Sequence, residues 1–160
     1  MKYAAIGLIV FSIFKCGHIY VKMQERKLEF ISDWNRILRL WHDWILLFSF
    51  SVDELIAKTG LDASTSNLYV AEQIKTKNLE SIKVFVENFA FACESDKRII
   101  IEVLNNIGSS LAESEAKELS YAVSKLEQRM TILEKTVKEC KSLFIKITPL
   151  ICGTLAIVLW

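Results

Sequence analysis

Proline occurs once and glycine five times among the 160 residues. Sandwiches and small barrels reverse direction about every 8–12 residues and need turn chemistry at each reversal. The scarcity of both residues argues against those architectures and for long helices. Histidine is rarer still, at two residues, and the four cysteines (Cys16, Cys93, Cys140 and Cys152) contain no C-x-x-C pair and no zinc spacing. They read as reduced structural thiols. A glycine-rich phosphate loop is also missing, since Asn106-Ile-Gly-Ser109 reads as a helix stop. Excess charge is lacking: 20 basic and 19 acidic residues leave +1, which excludes a strongly basic nucleic-acid binder.

Apolar residues are abundant, at 52% against 24% charged, with a mean hydropathy of +0.29. That excludes intrinsic disorder and exceeds what a soluble core of this size needs. The surplus lies at the two ends. Tyr3 to Phe14 is uncharged, and 3–21 gives 19 residues interrupted only by Lys15 and His18. At the other end 147–160 is uncharged, and 143–160 gives 18 residues containing Lys146. A span needs roughly 20 apolar residues, with flanking lysines able to snorkel to the interface. Phe14-Lys15-Cys16 stands where a small-x-small cleavage site would follow the first run, so the segment reads as a retained anchor. The predicted organisation is a transmembrane segment over 1–21, a cytoplasmic helical domain over 22–142 and a second transmembrane segment over 143–160.

The charges are segregated. Residues 1–27 carry five basic residues against Glu25, and 129–160 carry five against Glu134 and Glu139; the middle holds ten basic and sixteen acidic residues. Lys15, Lys22, Arg26 and Lys27 follow the first apolar segment, and Lys135, Lys138, Lys141 and Lys146 precede or enter the second. Basic residues at span ends favour the cytoplasm. Both clusters border the central region, which is therefore placed in the cytoplasm. The acidic centre, net −6, is a candidate interaction surface, with Glu113, Glu115 and Glu118 as its named residues.

Periodicity predicts helices throughout. Ile31, Trp34, Leu38, Trp41, Ile45 and Phe48 recur at alternating +3 and +4, a heptad seam. Leu119, Val123, Leu126, Met130, Leu133, Val137, Cys140, Phe144 and Ile147 do the same and lead into the last apolar segment, where Pro149 predicts a kink. Ser51-Val-Asp-Glu54 fits a capping box, with Gly60 as that helix's stop and 61–68 as a loop. Leu79, Ile82, Phe85, Val86 and Phe89 mark one helical face. Ser95 or Asp96 is expected to cap the next helix, Gly108 to end it, and Ser110-Leu-Ala-Glu113 to open the last. A helix over 3–50 would be about 72 Å long, leaving roughly 40 Å beyond a bilayer core. The final helix is similar, so the two seams can pair antiparallel in an all-α, membrane-anchored helical bundle.

Nothing in this pattern assembles a catalytic centre, and no enzyme, metal or cofactor is predicted. His18 reads as interfacial and His42 as a partly exposed helical residue. Trp34, Trp41 and Trp44 read as seam and core residues rather than a ligand cage.

The layout resembles the stage III sporulation protein AB family of endospore-forming bacteria. The matching stretches are Gln24-Glu-Arg-Lys27 with the apolar helix to Phe50, Ser51-Val-Asp-Glu-Leu-Ile-Ala57, Ser95-Asp-Lys-Arg-Ile-Ile-Ile101, Asn106-Ile-Gly108 and the long helix through Cys140-Lys-Ser-Leu143. Departures lie at Ser109-Ser-Leu-Ala-Glu113 and Ile147-Thr-Pro149. The resemblance implies a non-enzymatic scaffold of the channel complex between mother cell and forespore, in the mother-cell-derived membrane around the forespore. It further implies a cytoplasmic domain like that of type II secretion platform proteins. The implied partners are the membrane, other channel subunits and the secretion-type ATPase, with no nucleic acid and with homo-oligomerisation open. Two alternatives stand from the residues alone: a membrane-tethered coiled-coil sensor or division factor, and, as the weakest, a soluble four-helix enzyme with apolar termini.

Overall fold

The computed structural model describes residues 2–66, 70, 74, 78–109 and 111–159. It is all-helical, with no strand among the described residues. The helices are α1 (Lys2–Phe48), α2 (Val52–Ser66), α3 (Leu79–Asn88), α4 (Glu94–Asn106) and α5 (Ala112–Leu159). The chain divides into two compact units, one of Met1–Arg26 with Ile132–Trp160 and one of Lys27–Thr131.

In the terminal unit α1 and α5 run antiparallel. Phe14 meets Phe144 with ring centroids 5.0 Å apart, and Glu25 pairs with Lys141 at 2.6 Å. Gly17 permits the approach, because a Cβ there would lie 2.6 Å from the Phe144 ring. Large apolar side chains point outward here: Phe11, Ile13, Phe14, Ile19, Leu143, Ile145, Ile147 and Leu150 are all exposed. Ile147, expected on the seam, is among them. Thr148 and Thr154 return their hydroxyls to the carbonyls of Phe144 and Leu150, so neither hydroxyl needs water. The helix continues through Pro149. Among the described residues no helix is long and apolar enough to cross a membrane.

In the central unit the first seam is the core. Ile31, Trp34, Leu38 and Trp41 are fully buried and Ile45 is nearly so. On α5, Leu119 and Leu126 are buried, whereas Val123 and Met130 are half-buried at its edge. Leu133 and Val137, in the terminal unit's share of α5, are buried as well. Trp41 Nε1 donates to Thr59 Oγ1 at 2.7 Å, and Thr59 donates to the Leu55 carbonyl. The indole therefore buries its ring without orphaning its N–H, and α2 is fixed on α1. The Phe30 ring stacks on Phe89 at 4.1 Å, bringing the end of α3 to the same core. An ion pair joins Arg39 to Glu127.

Several boundaries differ from the sequence expectations. α1 stops at Phe48 because Ser49 takes a left-handed φ of 51°. Phe48 is consequently exposed, its ring stacked on Phe50 beneath the Lys58 ammonium. α2 runs past Gly60 to Ser66, so 61–66 of the expected 61–68 loop is helix, and 67–68 lie outside the described residues; small polar residues do not stop a helix unless the backbone turns. The box at Ser51 forms in part: the Glu54 carboxylate accepts from the Ser51 N–H at 2.8 Å and from its hydroxyl at 2.9 Å. Cys93, not Ser95 or Asp96, is the N-cap of α4. Gly108 follows the end of α4 with φ 82°, as expected of a glycine stop. Ser110 lies outside the described residues; the first turn of α5 is closed onto the Leu111 carbonyl.

Candidate interaction surface

The acidic candidates occupy the first turns of α5, where carboxylates complement the helix dipole. Glu113 and Glu118 are exposed. Glu115 is buried at 9% exposure, which corrects its assignment to the surface. Its place one turn before Leu119 continues the seam inward. Glu118 instead borders a cleft of about 140 Å³ between α4 and α5, with Glu102, Tyr121 and Lys125 at its edges and Ile99, Val103 and Ala122 as its apolar lining. Lys125 lies over the exposed Tyr121 ring at 4.3 Å. Glu102 belongs to this face and was not singled out in the sequence, because only the packing of α4 on α5 brings it beside Glu118.

A buried charge pair holds those two helices together. Asp96 is fully buried and accepts from Arg129 Nε at 2.7 Å and Nη2 at 3.4 Å. That hydrogen bond, helped by the carboxylate's charge, raises the Arg129 pKa above its ordinary value against the opposing effect of burial. Neighbouring Lys97, also buried, donates to the Glu87 carbonyl at 2.7 Å and to Glu94 at 3.0 Å. It thereby fastens the start of α4 to the end of α3. A second, more open groove of about 630 Å³ lies along α3 and the turn after it, lined by Val84, Phe85, Phe89 and Phe91 with Glu80 and Asn88.

The basic residues named from the sequence separate into two groups. Lys22, Lys138 and Lys146 are exposed. Lys15 sits over the Phe11 ring at 5.8 Å, Lys141 pairs with Glu25, and Arg26 is exposed but engaged. Lys27 departs from the pattern. It falls in the central unit, and its ammonium contacts Cys93 Sγ at 2.7 Å. It is therefore not a free collar charge.

His42 Nδ1 lies 2.9 Å from the Asp43 carboxylate at an exposed position. Among the described residues no group of three or more His, Cys, Asp or Glu side chains is arranged to hold a metal. The surface thus combines exposed carboxylates with shallow apolar relief. Comparison with family models, curated proteins and solved structures finds no match to this chain.

Proposed function

We propose that this protein is a non-enzymatic membrane scaffold of the stage III sporulation channel complex, anchored at both ends. In this reading a cytoplasmic helical bundle, similar to that of type II secretion platform proteins, docks the secretion-type ATPase or other channel subunits. The carrying observation is the inverted terminal unit. Its helices direct Phe11, Ile13, Ile19, Ile145 and Leu150 outward, and the basic residues cluster where each apolar segment meets the acidic centre. A helix pair with apolar residues outside and satisfied threonines suits lipid better than water. The family assignment rests on the sequence resemblance.

The ion pairs Glu25–Lys141 and Arg39–Glu127 close within one chain. Both belong to the intrachain hairpin of this reading. Co-purification of the tagged full chain with the ATPase tests the docking. The double reversal Glu113→Lys and Glu118→Lys is expected to reduce recovery at least ten-fold, the equivalent of about 1.4 kcal/mol. Undiminished recovery rejects that face as the docking site.

A further inference from the structure

Cys93 stands where the chain enters α4. It is the N-cap, with extended backbone at φ −71° and ψ 150°, yet its side chain makes no cap hydrogen bond. A serine or asparagine there would return its oxygen to the first turn. The thiol instead meets Lys27, 66 positions earlier in the chain, with Nζ 2.7 Å from Sγ. That separation is short for an N–H···S contact, because sulfur is larger than oxygen, and it is closer than the roughly 3–3.5 Å at which reacting atoms are poised to meet. Both residues are half-buried, so the pair is fixed in place but still reachable by a small solute. The thiolate is the form that oxidants attack, and the Lys27 nitrogen lies directly against that sulfur.

We propose that Lys27 and Cys93 form a reactive pair that oxidation joins covalently, through a sulfenamide bond between Nζ and Sγ. The oxidant is hydrogen peroxide. The Cys93 thiolate attacks one peroxide oxygen, the O–O bond breaks, and a sulfenic acid and hydroxide result. The Lys27 nitrogen then attacks sulfur; the S–N bond forms as the S–O bond breaks, and the hydroxyl leaves as water. Protons released from the ammonium neutralise the hydroxide. Sulfur loses two electrons, peroxide is reduced to two waters, and the chain loses two hydrogens. The bond fastens α1 at residue 27 to the first turn of α4, next to the Asp96–Arg129 pair. Thiol reductants reverse it by attacking the same sulfur.

The experiment treats the full-length protein with hydrogen peroxide, alkylates the remaining thiols and maps peptides after cleavage at glutamate, which leaves Lys27 uncut. The expected result is a linked pair of peptides containing Lys27 and Cys93, two hydrogens lighter than their sum, absent before oxidation and released by dithiothreitol. Lys27→Arg keeps the charge but removes the primary amine, and is expected to abolish the linked pair and leave Cys93 as sulfinic acid. Recovery of both wild-type peptides unlinked, with Cys93 as free thiol, sulfinic acid or disulfide, overturns the proposal. A linked species equally abundant in Lys27→Arg also overturns it.

Discussion

At the scale of single residues the polar contacts of the central unit divide by burial. Asp96 has no exposure of its own and depends on Arg129. Removing the cation leaves a buried carboxylate uncompensated, so Arg129→Met is expected to destabilise the protein by about 3 kcal/mol, read as a lowered unfolding midpoint in denaturant. Asp96→Asn keeps an acceptor for Nε and is expected to cost less, about 1 kcal/mol. Glu54 is the opposite case, fully exposed but bonded to the Ser51 N–H, which holds its pKa below the ordinary 4.5. A carboxylate whose pKa is lower in the folded chain stabilises above its ordinary value and loses that effect as pH falls through the folded value. Glu54→Gln should therefore melt below the wild type at pH 7, with the gap closing below about pH 4.5. Neither the Asp96–Arg129 pair nor the Lys27–Cys93 contact was legible in the sequence. Their partners are 33 and 66 positions apart, and no periodicity links residues across separate helices. Asp96 has the sequence signal of a cap, because an acidic residue after a serine has the composition of a helix start whichever way its side chain turns; the N-cap is Cys93.

At the scale of helices, the first seam was legible from Ile31 to Ile45 because burial there follows the helical repeat, whereas the α5 seam is buried at Leu119, Leu126, Leu133 and Val137 but not at Ile147. Ile31, Trp34, Leu38 and Trp41 are all fully buried. Continuing the α5 seam one turn back from Leu119 reaches Glu115 and Ala116, both buried, so the correction at Glu115 had a sequence signal. The ends of elements were less legible, since they depend on backbone turns that composition records only where glycine is required. Gly108 is such a position: its φ is 82°, and a Cβ would lie 2.7 Å from Val52 Cγ2. Gly108→Ala is expected to cost about 1–2 kcal/mol through the left-handed backbone alone, measurable as a lowered unfolding midpoint. Gly17 tests helix pairing in the terminal unit. Gly17→Leu places a side chain into the Phe144 ring. Disulfide trapping between cysteines introduced at Phe14 and Phe144 should then fall relative to the same pair on a Gly17 background.

At the scale of the whole molecule, near-neutral net charge conceals basic ends around an acidic centre. One chain therefore has two kinds of surface. The ends carry exposed apolar side chains beside lysines, and the centre carries exposed carboxylates on a packed helical core. This division was visible in the sequence because it is compositional, whereas the pairing of α4 with α5 that creates the Glu102–Glu118 face was not. In the proposed scaffold the ends hold the membrane and the centre receives the partner. The central claim is the topology, and alkaline phosphatase fusions test it most directly, because that enzyme is active only outside the cytoplasm. Fused after Trp160 in a bacterial inner membrane, phosphatase should be active, while fusion after Thr131 should be inactive. An inactive fusion at Trp160, with the chain recovered in the soluble fraction, would contradict the account.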